Sequence, residues 1–201
     1  MATNEPGQPS PLNPTAFATP ATTEQASAPA AAEGRQMLAA HQQHDWRGVG
    51  RLNFGDGFCT GALVLPDIVV TAAHCLHVKR TGVVRQPERT HFVAGYRLRR
   101  HQGHRTATDF SIHPDFAMDG RERVAEIGAD LALVKLAEPL TKIPPFPLSH
   151  GVDAGDEVTI LSYGRDRPEI PSIQSPCAVT SRLGAIAVLD CDTTYGVSGA
   201  P

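Results

Sequence analysis

The sequence predicts an all-β protein, and two observations carry that prediction. Beyond residue 45, short apolar or alternating runs recur between turn residues, and no stretch keeps a helical period. The runs are Gly48–Phe54, Cys59–Leu65, Ile68–Thr71, His91–Tyr96, Leu131–Leu136, Val158–Tyr163, Cys177–Leu183 and Ala185–Leu189. Between them stand Gly55-Asp56-Gly57, Leu65-Pro66-Asp67 and Leu183-Gly184, residue types that turn a chain back on itself. The Pro-rich run Thr141–Leu148 reads as an extended connection, because a residue before proline is pushed out of the helical region.

Ahead of this block the composition differs. Residues 1–34 hold 6 of the chain's prolines and 9 alanines, with Thr, Ser and Gln, and offer too little apolar surface to offset the entropy of ordering. Residues 35–44 could form a short helix. The expected domains are a disordered arm over 1–45, a first β-domain over 46–140 and a second over 141–201.

A chain of 201 residues with 41% apolar content can build a core, and with 5% aromatics it must do so from aliphatic and small side chains. The net charge of -3 gives no footing for nucleic acid, and the Arg97–Arg105 run reads as a solvated face. No apolar run reaches the roughly 18 residues of a membrane-spanning helix. Cys59, Cys75, Cys177 and Cys191 allow three pairings; 59–75 and 177–191 are favoured because each pair falls on neighbouring runs or a run's end. Free thiols are the alternative. Disulfides point to a secreted or periplasmic protein, although MATNEPGQPSPLNPT has neither the positive nor the apolar region of a signal peptide.

Three segments carry chemistry: Cys59 to Cys75, ending Thr-Ala-Ala-His74-Cys75; Asp130-Leu-Ala-Leu-Val-Lys-Leu; and Cys191-Asp-Thr-Thr-Tyr-Gly196-Val-Ser198-Gly-Ala-Pro201. A serine hydroxyl needs a base to become a nucleophile, and histidine titrates in the right range to serve. A carboxylate then fixes the histidine tautomer. Over residues 46–201 the chain resembles the chymotrypsin-like serine peptidases, especially compact bacterial members. The order His, Asp, Ser matches theirs and differs from subtilisin and the α/β-hydrolases. Asp109, Asp115, Asp119 and Glu126 compete with Asp130, but none opens the same strand pattern.

The resemblance implies a double β-barrel, a serine endopeptidase acting on polypeptides, and a catalytic triad of His74, Asp130 and Ser198. It also implies an oxyanion hole from the backbone N–H groups of Gly196 and Ser198. Asp192, six residues before Ser198, falls at the count of a specificity-pocket acid, with a loop residue beside the disulfide as the equal alternative. No cofactor is implied. Three His-x-x-His pairs, His41/His44, His74/His77 and His101/His104, lack a third ligand at a clear spacing, so no metal is expected.

Two departures matter. Val197 stands where many relatives carry an Asp that pairs with a freed N-terminus, and no Ile-Val-Gly-Gly precedes the first barrel, so N-terminal insertion is not expected. Pro201 follows Ser198 by three residues where relatives continue into further strands. The expectation is therefore a second barrel incomplete at its C-terminus. The alternative function is a truncated, inactive protease-like module that binds a protein partner.

Overall fold

Six strands close on themselves around an aliphatic core. In the computed structural model, residues 34–118, 124–149 and 151–201 are described, apart from the side chains of 125 and 126. The disorder expected of residues 1–33 and the carboxylates of Asp119 and Glu126 therefore lie outside the described residues. The strands are β1 (Gln36–Met37), β2 (Val49–Phe54), β3 (Gly57–Leu65), β4 (Ile68–Thr71), β5 (Thr90–Ala94), β6 (Gly103–Ile112), β7 (Ala132–Leu136), β8 (Glu157–Gly164), β9 (Arg167–Leu183) and β10 (Ile186–Leu189). One short helix, α1 (Val124–Gly128), precedes β7.

Strands β2-β3-β4-β7-β6-β5 form a closed antiparallel barrel. Closure leaves this sheet without an open edge. Strand β7 shows the period that the sequence displayed: Ala132, Val134 and Leu136 point inward while Leu133 and Lys135 face out. The core gathers Leu52, Leu63, Val69, Phe92, Val134 and Leu136, all at most 1% exposed. Phe92 takes space that two glycines leave open, since a Cβ on Gly50 would come within 2.6 Å of its ring. Gly50 pairs with Gly61 across β2 and β3, so one aromatic ring lies over a pair of missing side chains.

The second unit is a four-stranded sheet in which β9 pairs with β1, β8 and β10. The predicted runs at 158–163, 177–183 and 185–189 fall on β8, β9 and β10. Sequence reasoning missed the first half of β9, where Pro168, Pro171 and Pro176 argue against a strand. The prolines sit where the pairing slips: β8 meets β9 with shifts between Val158 and Ile160 and between Ser162 and Gly164. Proline gives up no ladder hydrogen bond at such irregularities. Strand β6 was also missed, because its sequence GHRTATDFSI is polar on its outer face.

The arm expected to reach residue 45 is corrected for residues 34–45. Gln36 pairs with Ile173 and Met37 with Ser172 of β9, and the Leu38 N–H donates to the Pro171 carbonyl at 2.8 Å. Leu38 is fully buried with Val49, Leu161 and Tyr163, and a 3₁₀ turn follows over Ala40–Gln42. Strand addition uses backbone groups that every residue carries, so composition alone could not reveal it.

Truncating the central ring of the barrel tests this packing. Phe92→Ala is expected to destabilise the fold by about 3–5 kcal/mol, read from urea unfolding, because the glycine-lined space cannot collapse around alanine.

Candidate active site

The pairing of β4 with β7 brings His74 to Asp130. Thr71 at the end of β4 lies opposite Ala132 at the start of β7, so residues just after one and just before the other meet at one rim of the barrel. A 3₁₀ turn over Ala73–Leu76 carries His74, and the buried Ala72 and Ala73 keep the approach open. The Asp130 carboxylate grips this turn with both oxygens. Oδ2 lies 2.6 Å from His74 Nδ1, and Oδ1 accepts the His74 backbone N–H at 2.8 Å. An ionised carboxylate only accepts, so Nδ1 must carry the proton and Nε2 keeps its lone pair.

Burial by itself would raise the Asp130 carboxyl. Hydrogen bonds from the His74 ring and backbone, with the Ala73 N–H, outweigh it and hold the carboxyl below its ordinary value of 3.8. Asp109 and Asp115 are exposed and, among the described residues, make local contacts, Asp109 with the Phe110 N–H and Asp115 through its own N–H to His113.

Ser198 is held by the barrel. The Ser198 carbonyl accepts the Thr60 N–H at 2.9 Å, and the Gly196 carbonyl accepts the Thr60 hydroxyl at 2.8 Å. Thr60, fully buried on β3, also accepts the Tyr163 N–H at its hydroxyl oxygen, 2.9 Å away, and the Thr71 hydroxyl at its carbonyl, 2.8 Å away. Sequence reasoning missed Thr60 and Thr71; the available signal was a polar residue inside an apolar strand. Gly196 and Gly199 have φ of +95° and +78°, a region that disfavours side chains. A Cβ on Gly199 would also run into Thr71 Oγ1 and the Thr60 carbonyl, and one on Gly196 would lie 2.8 Å from the Tyr163 carbonyl.

His74 Nε2 and the Ser198 carbonyl lie 3.7 and 3.9 Å from the same Cys75 sulfur. Both residues line a cleft of about 600 Å³, together with Gly196, Phe58, Tyr195 and Arg165. Within the Ser198 loop, the Val197 N–H donates to Thr194 and the Ala200 N–H to Val197, whereas the N–H groups of Gly196 and Ser198 meet no acceptor among the described residues. Arg165 steadies the loop from outside, its N–H donating to the Tyr195 carbonyl at 2.7 Å.

The cysteines pair as Cys59–Cys75 and Cys177–Cys191. Loops of 16 and 14 residues are each worth about 3 kcal/mol in the chain-entropy account. Cys59, Cys75 and His74 lie close enough to hold a metal, as do Cys177, Cys191 and Asp190, but oxidised sulfurs supply no thiolate.

Asp192 stands apart from this centre. It is exposed, its N–H donates to Gln174 Oε1 at 2.9 Å, and its carboxylate lies 2.7 Å from where a Gly34 Cβ would stand. It lines neither the cleft above nor the adjoining cavity formed by Thr193, Thr194, Tyr195, Val197 and Ser198.

A closed six-stranded barrel joined to a second antiparallel sheet, with histidine and serine at one cleft between them, defines the chymotrypsin-like fold of serine proteases. The family model for Trypsin matches residues 36–184, and the chain belongs to that family. A tryptase of Mus musculus is 34% identical over 115 residues, which make up 53% of this chain; the chain spans 38% of that tryptase's length. A Glu endopeptidase structure superimposes with a TM-score of 0.70 at 19% identity, covering 84% of this chain and 78% of that one. Human heparin binding protein gives 0.65 at 18% identity with the same coverages, and the protease Anisep of Arthrobacter nicotinovorans 0.60 at 19%, over 77% and 76%.

Two outcomes follow from this geometry. Gly199→Ala is expected to cost at least about 2 kcal/mol in chemical denaturation, through backbone strain and displacement of Thr71. The lowered Asp130 carboxyl adds stability that is present above its ordinary pKa of 3.8 and lost as the pH falls through the lowered value. Asp130→Asn should therefore destabilise more at about pH 6 than at about pH 3 in paired unfolding curves.

Proposed function

We propose that the chain is a serine endopeptidase that cleaves polypeptides through an acyl-enzyme on Ser198. The observation that carries this reading is the double grip of Asp130 on His74, with His74 and Ser198 at one cleft. Ser198 Oγ attacks the peptide carbonyl carbon and passes its proton to His74 Nε2. Asp130 keeps the proton on Nδ1 and stabilises the imidazolium that forms. The oxyanion receives the N–H groups of Gly196 and Ser198, which have no acceptor of their own among the described residues. His74 then protonates the leaving amine, and water attacks the ester with His74 again as base.

Asp192 takes no part in this reading, since it lines neither cavity at Ser198. We place the protein in an oxidising, extracytoplasmic compartment, a reading supported by its two disulfides. No helix among the described residues is long and apolar enough to cross a membrane.

A fluorophosphonate probe should label the folded chain at Ser198, and Ser198→Ala should abolish labelling while leaving the thermal transition in place. A wild-type chain that unfolds cooperatively and yet takes no label would overturn the proposal. Specific retention of a protein partner by that unlabelled chain would favour the non-catalytic module instead.

A further inference from the structure

Three of the chain's 9 histidines gather on the outer wall of the closed barrel. The sequence pairs His101 with His104 but gives them no third partner. Folding supplies one from another strand. His91 on β5 lies opposite Thr106, and His104 on β6 lies opposite Val93, so His91 and His104 are diagonal neighbours on one face of the sheet. Such neighbours are within reach of aromatic side chains. His91 Nδ1 comes to 3.1 Å from His104 Nε2, and the two ring centroids are 5.2 Å apart. His101, exposed in the turn before β6, sets its ring edge-on to His104 at 5.9 Å.

We propose that His91 and His104, joined by His101, form a binding site for a divalent transition metal on the barrel wall, outside the catalytic cleft. Two imidazole nitrogens bound to one tetrahedral zinc at about 2.0–2.1 Å stand about 3.3 Å apart. The observed 3.1 Å is within a few tenths of an ångström of that spacing, so the two strands already hold the first two rings at a suitable separation. In the absence of metal the same spacing suits a hydrogen bond between one N–H and one lone pair. Metal binding needs the ring proton of the donor to move to its other nitrogen and both rings to turn so that their lone pairs converge on the ion. A rotation of the exposed His101 side chain brings the third ligand, and water completes the shell.

The surroundings define the class of ion. Imidazole suits copper, nickel and zinc, whereas magnesium and calcium require oxygen ligands. Among the residues facing the pair, Thr106 places its hydroxyl 3.4 Å from His91 Nδ1. The Arg105 guanidinium donates to the His104 carbonyl at 2.8 Å and lies 3.5 Å from Glu138, so its positive charge stays beside the site and is only partly offset. The site should accordingly be weaker than a four-ligand structural zinc centre, and Cu²⁺ should bind tighter than Ni²⁺ or Zn²⁺.

Equilibrium titration of the full chain with Ni²⁺ tests the proposal, done in a His74→Ala background so that the cleft cannot contribute. One ion should bind per chain. His91→Gln and His104→Gln should each weaken binding at least about tenfold, His101→Gln should weaken it less, and Mg²⁺ should not compete. His41→Gln, on the other His-x-x-His pair, should leave the affinity unchanged. Electron paramagnetic resonance of the Cu²⁺ form offers a readout that needs none of these three variants: it should show splitting from two or three imidazole nitrogens. No saturable binding up to about 1 mM free Ni²⁺, a His91→Gln/His104→Gln chain with the parent affinity, or a Cu²⁺ signal without nitrogen splitting would each overturn the assignment.

Discussion

The antiparallel contact between β4 and β7 is the constraint on which the site rests. These strands are separated by 60 residues of chain, yet Thr71 and Ala132 are Cα partners. Their ladder leaves His74 and Asp130 at the same rim, and the bidentate grip of the carboxylate then fixes both the turn and the ring. The interaction is half-buried. That suits its task, because a fully buried carboxylate would meet a larger desolvation cost and an exposed one would be screened by water. Asp109 and Asp115 are exposed, and it is the Asp130 carboxylate that meets the His74 ring and backbone N–H.

The serine side is joined to the same barrel by one buried threonine. Thr60 uses its N–H, its hydroxyl as donor and acceptor, and its carbonyl, so none of these groups is left unpaired. A buried hydroxyl is costly unless satisfied, and this one is satisfied only when the Ser198 loop and β8 are both in place, while Thr71 of β4 satisfies the carbonyl. Gly196 and Gly199 make that docking sterically possible. The barrel therefore carries the histidine and aspartate and also seats the loop that bears the serine.

The second sheet is assembled from more distant pieces. Strand β9 accepts β1 from near residue 36 along with β8 and β10. Arg35, largely buried, pairs with Asp166 at 2.9 Å in the turn between β8 and β9, and its hydrogen bond holds the Asp166 carboxyl below its ordinary value. The neighbouring Arg167 guanidinium donates to the Arg35 carbonyl. Segments at both ends of the described chain thus close around the β8–β9 hairpin, whose turn residue Arg165 steadies Tyr195.

The sequence by itself determined the family, the β class, five of the six barrel strands between Gly48 and Leu136 and the candidate residues His74, Asp130 and Ser198. Those features are local: alternation of side chains, turn residues, and motifs whose chemistry sits within a few positions. The cysteine pairs were also within reach, because each closes a short loop. Tertiary structure alone decided the rest. Thr60 and Thr71 became anchors, Asp192 came to lie outside the lining of the cleft, residues 36–37 became a strand, and His91 came to lie beside His104. Each depends on which strand lies next to which and at what register. Such contacts join residues distant along the chain, through backbone groups that all residues share or side chains whose partners no local pattern names.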